Sequence, residues 1–86
     1  RYTVPVKRHL ECPPIFKDAV IDIVYAMNTI VIKCHTGMAQ AACATLDKMD
    51  CPEIVGTIAG DDTIFILTPN EEIADEFCND LREMIL

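Results

Sequence analysis

Two runs rich in Val and Ile, 19–27 and 29–35, flank Asn28. β-Branched residues favour extended backbone and Asn tolerates positive φ, so the pair predicts an antiparallel hairpin that turns at Asn28. Ile30, Val31 and Ile32 are apolar at consecutive positions, which predicts that both faces of the second strand are covered, one by helices and the other by a neighbouring subunit. After Thr36-Gly37, the residues Ala39, Ala42, Leu46 and Met49 recur at spacings of 3, 4 and 3, the stripe of an amphipathic helix over 38–49. Gln40 and Asp47 stand two turns apart on a second face of that helix, with Ala44 between them. Two further short runs, 54–58 and 63–67, surround Ala59-Gly60-Asp61-Asp62, where a central glycine predicts a primed two-residue turn. Thr68-Pro69-Asn70-Glu71 reads as a capping box with Pro at the first helical position, and Ile73, Phe77, Leu81 and Met84 carry an amphipathic helix to the end.

Strand, strand, helix, strand, strand, helix is the resulting order. It predicts an α+β fold, a two-layer sandwich in which a four-stranded antiparallel sheet carries two helices on one face. Residues 1–17 hold three of the five prolines and four of the seven basic residues without sustained periodicity. They read as a linker or extended arm, since Pro13 and Pro14 oppose a helix, and the ordered domain is expected over 18–86. A first residue that is Arg rather than Met suggests a piece of something longer.

Composition sharpens this picture. At 86 residues there is room for one domain. Hydrophobic residues reach 51 % with only five aromatic residues and no Trp, more apolar surface than an isolated small core needs, which predicts burial between subunits. Fourteen acidic residues against seven basic give a net charge of −7, which argues against a nucleic-acid surface on this segment. No apolar run approaches the ~18 residues of a membrane span, and residues 1–10 lack a signal peptide's apolar centre, so a cytoplasmic protein without membrane contact is expected. The five cysteines are odd in number and form no CxxC pair; they predict buried thiols rather than disulfides or a zinc ribbon. No metal and no cofactor is expected.

Chemistry concentrates at two places. Adjacent carboxylates at Asp61 and Asp62 repel one another on a tight turn, which calls for a nearby cation, although Asp is also an ordinary solvated turn residue. Gln40 and Asp47, around the small Ala44, suit an amino acid: Asp47 accepts from an α-ammonium, Gln40 addresses an α-carboxylate, and a hairpin carboxylate takes a guanidinium in a two-point fork. The alternative for this pair is an exposed helix face. His35 reads as structural, and Lys33 and Lys48 as solvated. No P-loop, dinucleotide fingerprint or nucleophile elbow is present, and a lyase or dehydratase would need a histidine constellation that His9 and His35 do not supply. The chain therefore reads as no enzyme.

The run Gly56-Thr57-Ile58-Ala59-Gly60-Asp61-Asp62-Thr63-Ile64-Phe65 resembles the signature of the bacterial arginine repressor. Gly37-x-Ala39-Gln40 with Asp47 resembles that family's helix start and helix aspartate, and Val31-Ile32-Lys33 resembles the strand before it; together the similarity covers about residues 18–86. What this implies is the C-terminal arginine-binding and oligomerisation domain, which in the family forms trimers through its sheets. Two trimers stack into a hexamer with L-arginine at their interface. The family's winged helix-turn-helix, which contacts operator DNA, lies in a separate N-terminal domain that this chain lacks, and residues 1–17 resemble the connecting linker. The resemblance assigns the L-arginine contacts to Gln40, Asp47, Thr57, Ala59, Asp61 and Asp62. Thr36 stands where the family often has Pro, and Met38 where a small or amide residue is common; both lie at the helix start beside the site. The other reading is an amino-acid-sensing or purely structural assembly module without arginine specificity.

Overall fold

The structure, a computed structural model, describes residues 13–49 and 51–85. Seven elements follow one another: α1 (Pro14–Ala19), β1 (Val20–Ala26), β2 (Thr29–Cys34), α2 (Ala39–Lys48), β3 (Gly56–Ala59), β4 (Thr63–Leu67) and α3 (Glu71–Ile85). The strands form one antiparallel sheet in the order β1-β2-β4-β3. Its two middle strands are joined by α2, β3 and the β3–β4 turn, so β3 returns as an edge strand beside the helix that precedes it. The expected α+β sandwich with ββαββα order is found, with one helix more.

That helix, α1, corrects the expectation of extended backbone at the double proline. Pro14 occupies the first turn, where a missing N–H costs nothing and a fixed φ suits the helix. Phe16 and Ala19 from α1 are fully buried, so apolar burial decides in favour of a short helix. The remainder of the expected arm, residues 1–12, lies outside the described residues.

The register places Ile23, Ile30, Ile32, Ile64 and Ile66 on the face that α2 and α3 cover. These residues are fully buried with Phe16, Leu46, Phe77 and Leu81. The opposite face is uncovered in the single chain. Val24, Val31, Phe65 and Ile58 stand side by side across all four strands, with Phe65 52 % and Ile58 75 % exposed.

Both expected turns and one cap differ in detail. Met27, at φ +53°, and not Asn28, takes the left-handed conformation of the first hairpin. Asn28 is held by Thr68: its carbonyl accepts from the Thr68 N–H and hydroxyl, each at 2.9 Å, and its amide donates to the Thr68 carbonyl at 3.2 Å. The buried Thr68 hydroxyl reaches the carbonyls of Asn28, at 2.9 Å, and Asn70, at 3.0 Å, and does not cap α3. Asn70 does so instead, accepting the Ile73 N–H at 2.9 Å, with Pro69 outside the helix. The second hairpin turns at Asp61-Asp62, closed by Gly60 N–H to the Thr63 carbonyl at 2.8 Å. Neither Gly60 nor the two aspartates has positive φ, so the turn is not primed. Its backbone is set from outside, by hydrogen bonds described next.

Candidate functional site

The β3–β4 turn is clasped to the β2–α2 loop through the main chain. The Asp61 carbonyl accepts from the N–H groups of Gly37, at 3.1 Å, and Ala39, at 3.2 Å, and the Asp62 carbonyl accepts from Cys34 N–H at 2.7 Å. Gly37 sits at φ +79°, a conformation open to glycine at little cost. Helix α2 has no side-chain N-cap, so its first N–H would lack a partner. Asp61 supplies it. This fixes Gln40, the second residue of α2, beside the turn, and Gly37, Gln40, Gly60 and Asp61 line an open recess of about 520 Å³.

Two turns further along α2, Asp47 faces β3. The Thr57 hydroxyl donates to its carboxylate at 3.2 Å, and the Cys43 thiol donates to the same Thr57 oxygen at 3.4 Å. Ala59 shares the face of β3 on which Thr57 lies, as alternation requires, and packs half-buried against the core. Asp62 is not among the residues that line this recess. Its carboxylate accepts from the Thr63 hydroxyl at 2.9 Å, and Lys33 Nζ donates to that hydroxyl at 2.9 Å. Lys33, read as merely solvated, is thus an exposed cation tied to the hairpin. Within one chain the six candidate residues fall in three neighbouring places: Gln40 with Asp61, Asp47 with Thr57 and Ala59, and Asp62 with Thr63.

Cys43, Thr63 and Lys33 were not legible as parts of this region. Lys33 and Thr63 meet only through the β2–β4 register, and Cys43 meets Thr57 only because α2 lies along β3. Behind the site, burial first and the Asp62 carboxylate second push the Cys34 thiol up from its ordinary value. Cys34 is therefore a protonated, apolar wall. Among the described residues no group of three or more His, Cys, Asp or Glu side chains is placed to hold a metal ion, and no helix is long and apolar enough to cross a membrane.

Helices on one face of an antiparallel sheet, a bare apolar row on the other and a polar recess at the turn end define the class, a two-layer α+β domain. The family model described as the arginine repressor C-terminal domain matches residues 16–83, and the chain belongs to that family. It is 49 % identical over 71 residues to an arginine repressor of Alkaliphilus oremlandii, covering 83 % of this chain and 48 % of that protein. Similarity to the arginine repressor of Koribacter versatilis is 41 % over 71 residues, with the same two coverages. The Acetivibrio thermocellus arginine repressor is 44 % identical over 70 residues, 81 % of this chain and 46 % of that protein. The chain spans about half the length of these curated relatives.

Proposed function

We propose that this domain is the effector-sensing part of an arginine-responsive transcriptional repressor acting in the cytoplasm. The observation that carries the reading is the main-chain clasp, through the Asp61 carbonyl, that brings Gln40 and Asp61 to one open recess, on a chain of the arginine repressor family. L-Arginine is the ligand. Its guanidinium pairs with hairpin carboxylates, its α-carboxylate meets the Gln40 amide, and its α-ammonium meets Asp47; each charge-assisted bond contributes about 1.5–3 kcal/mol before ordering costs.

The apolar row of Val24, Val31, Phe65 and Ile58 serves trimer formation, and arginine lies between two stacked trimers. Without ligand, acidic turns from facing trimers repel, because Gly37, Gln40, Gly60 and Asp61, which line the recess, include no cation. Arginine reverses that balance and, by binding the hexamer preferentially, stabilises it by linkage, about 2.7 kcal/mol per site at a hundredfold excess over Kd. In the longer protein the hexamer holds N-terminal winged-helix domains on operator DNA, which couples arginine concentration to transcription of arginine-metabolism genes. Domain oligomerisation is read by sedimentation and binding by calorimetry. Arginine is expected to raise the hexamer fraction and citrulline, equal in shape but uncharged, to leave it unchanged; equal response to both sinks the guanidinium reading.

A further inference from the structure

We infer that Cys43 is a positioning residue for the ligand anchor Asp47, acting through the hydroxyl of Thr57. The inference rests on the arginine-binding reading for its functional consequence and on the geometry for the rest.

Asp47 is the second-last residue of α2, where the partial negative charge of the helix end disfavours a carboxylate. The helix therefore does not stabilise Asp47 in place; β3 does. A threonine hydroxyl has one proton and two lone pairs, and an ionised carboxylate only accepts. The Thr57 proton must accordingly point to Asp47, at 3.2 Å, which leaves an oxygen lone pair for the Cys43 thiol, at 3.4 Å. Donation runs one way, from thiol to hydroxyl to carboxylate. Cys43 is buried, Thr57 half-buried and Asp47 exposed, so the relay leads from the core to the surface and fixes one carboxylate oxygen. The second oxygen remains for a ligand ammonium. By occupying one of the two threonine lone pairs, the thiol disfavours the competing arrangement in which Thr57 turns its proton toward the sulfur.

Calorimetry with arginine on wild type, Cys43→Ala, Cys43→Ser, Thr57→Val and the double variant tests this. Cys43→Ala is expected to weaken arginine binding about fivefold, one neutral hydrogen bond, while Cys43→Ser, which keeps a donor, stays within about twofold of wild type by the same measure. Because Cys43 acts through Thr57, Cys43→Ala is expected to add nothing on top of Thr57→Val. Full additivity, or wild-type affinity of Cys43→Ala, overturns the inference. A ligand-free readout separates it from the function: three-bond couplings of Asp47 are expected to report a single χ1 rotamer in wild type and averaging in Cys43→Ala and Thr57→Val. If wild type binds no arginine, the proposed function fails and these couplings alone decide the relay; averaging in wild type overturns it.

Discussion

The N–H of Gly37, at φ +79°, donates to the Asp61 carbonyl at 3.1 Å and so ties the loop before α2 to the β3–β4 turn. Whatever binds in the recess meets Gln40 and Asp61 in a relation set by backbone, not by mobile side chains. No atom lies within 4 Å of a Cβ added at Gly37, so Gly37→Ala meets no clash and is opposed by φ alone. A loss of about 1–2 kcal/mol in denaturant unfolding is expected, and a smaller one for Gly37→Asn, which tolerates this conformation. Arginine affinity should fall with the first and largely return with the second. An unchanged affinity in a destabilised Gly37→Ala protein would separate the clasp from ligand binding.

Asp61 lines the recess while the Asp62 carboxylate is bound to Thr63, and their variants should differ too. Asp61→Asn removes the charge of a residue that lines the recess with Gln40 and is expected to weaken arginine binding by a factor of about ten or more. Asp62→Asn also loosens the Thr63 and Lys33 bonds, so the salt dependence of binding should change along with affinity. Calorimetry at two ionic strengths checks both, and wild-type affinity in Asp61→Asn would remove it from the site.

Phe65 and Ile58 lie side by side on the bare sheet face. Phe65→Glu or Ile58→Asp puts a charge there without disturbing the buried face, so circular dichroism should stay that of the folded domain. Sedimentation should shift to monomer, since a charge buried unpaired in an interface costs several kcal/mol. A trimer that survives both substitutions would move the assembly surface elsewhere.

Stability should fall at alkaline pH. Burial raises both Cys34 and Cys78 above the ordinary thiol value of 9.0; beside Cys78, Arg82 acts in the opposite direction and the carboxylates of Asp75 and Asp22 support the rise. Asp75, first among several causes, raises Tyr25 above 10.0. In each case the folded state keeps its proton longer than the unfolded chain, so the contribution is full below the unfolded value and is lost as pH rises through the folded one. Denaturant midpoints are expected to be flat to about pH 8 and to decline above pH 9. Replacing Cys34 and Cys78 together by Ala should flatten that decline, and an undiminished slope would contradict it.

Much of this architecture could be read along the chain. The Val- and Ile-rich runs gave four strands, the stripe through Ala39, Ala42 and Leu46 gave α2, and Ile73, Phe77 and Leu81 gave α3, because burial of a periodic apolar face dominates over weaker local preferences. Local signals misled where a distant group intervened. The double proline read as extended until Phe16 found the core, Asn28 read as the left-handed turn residue until Thr68 engaged it, and Thr68 read as a cap for the same reason.

The candidate site divides similarly. Gln40 and Asp47 could be placed on one helix face from their spacing, and Asp61 and Asp62 on one turn, since helical and strand periods are properties of the local chain. That determined the elements and the charged groups they carry. The meeting of the Asp61 carbonyl with Gly37 and Ala39, the approach of Lys33 to Thr63 beside Asp62, and the thiol and hydroxyl behind Asp47 were decided by tertiary structure alone. Each joins residues distant in sequence through hydrogen bonds whose geometry exists only once α2 lies along β3 and β2 pairs with β4.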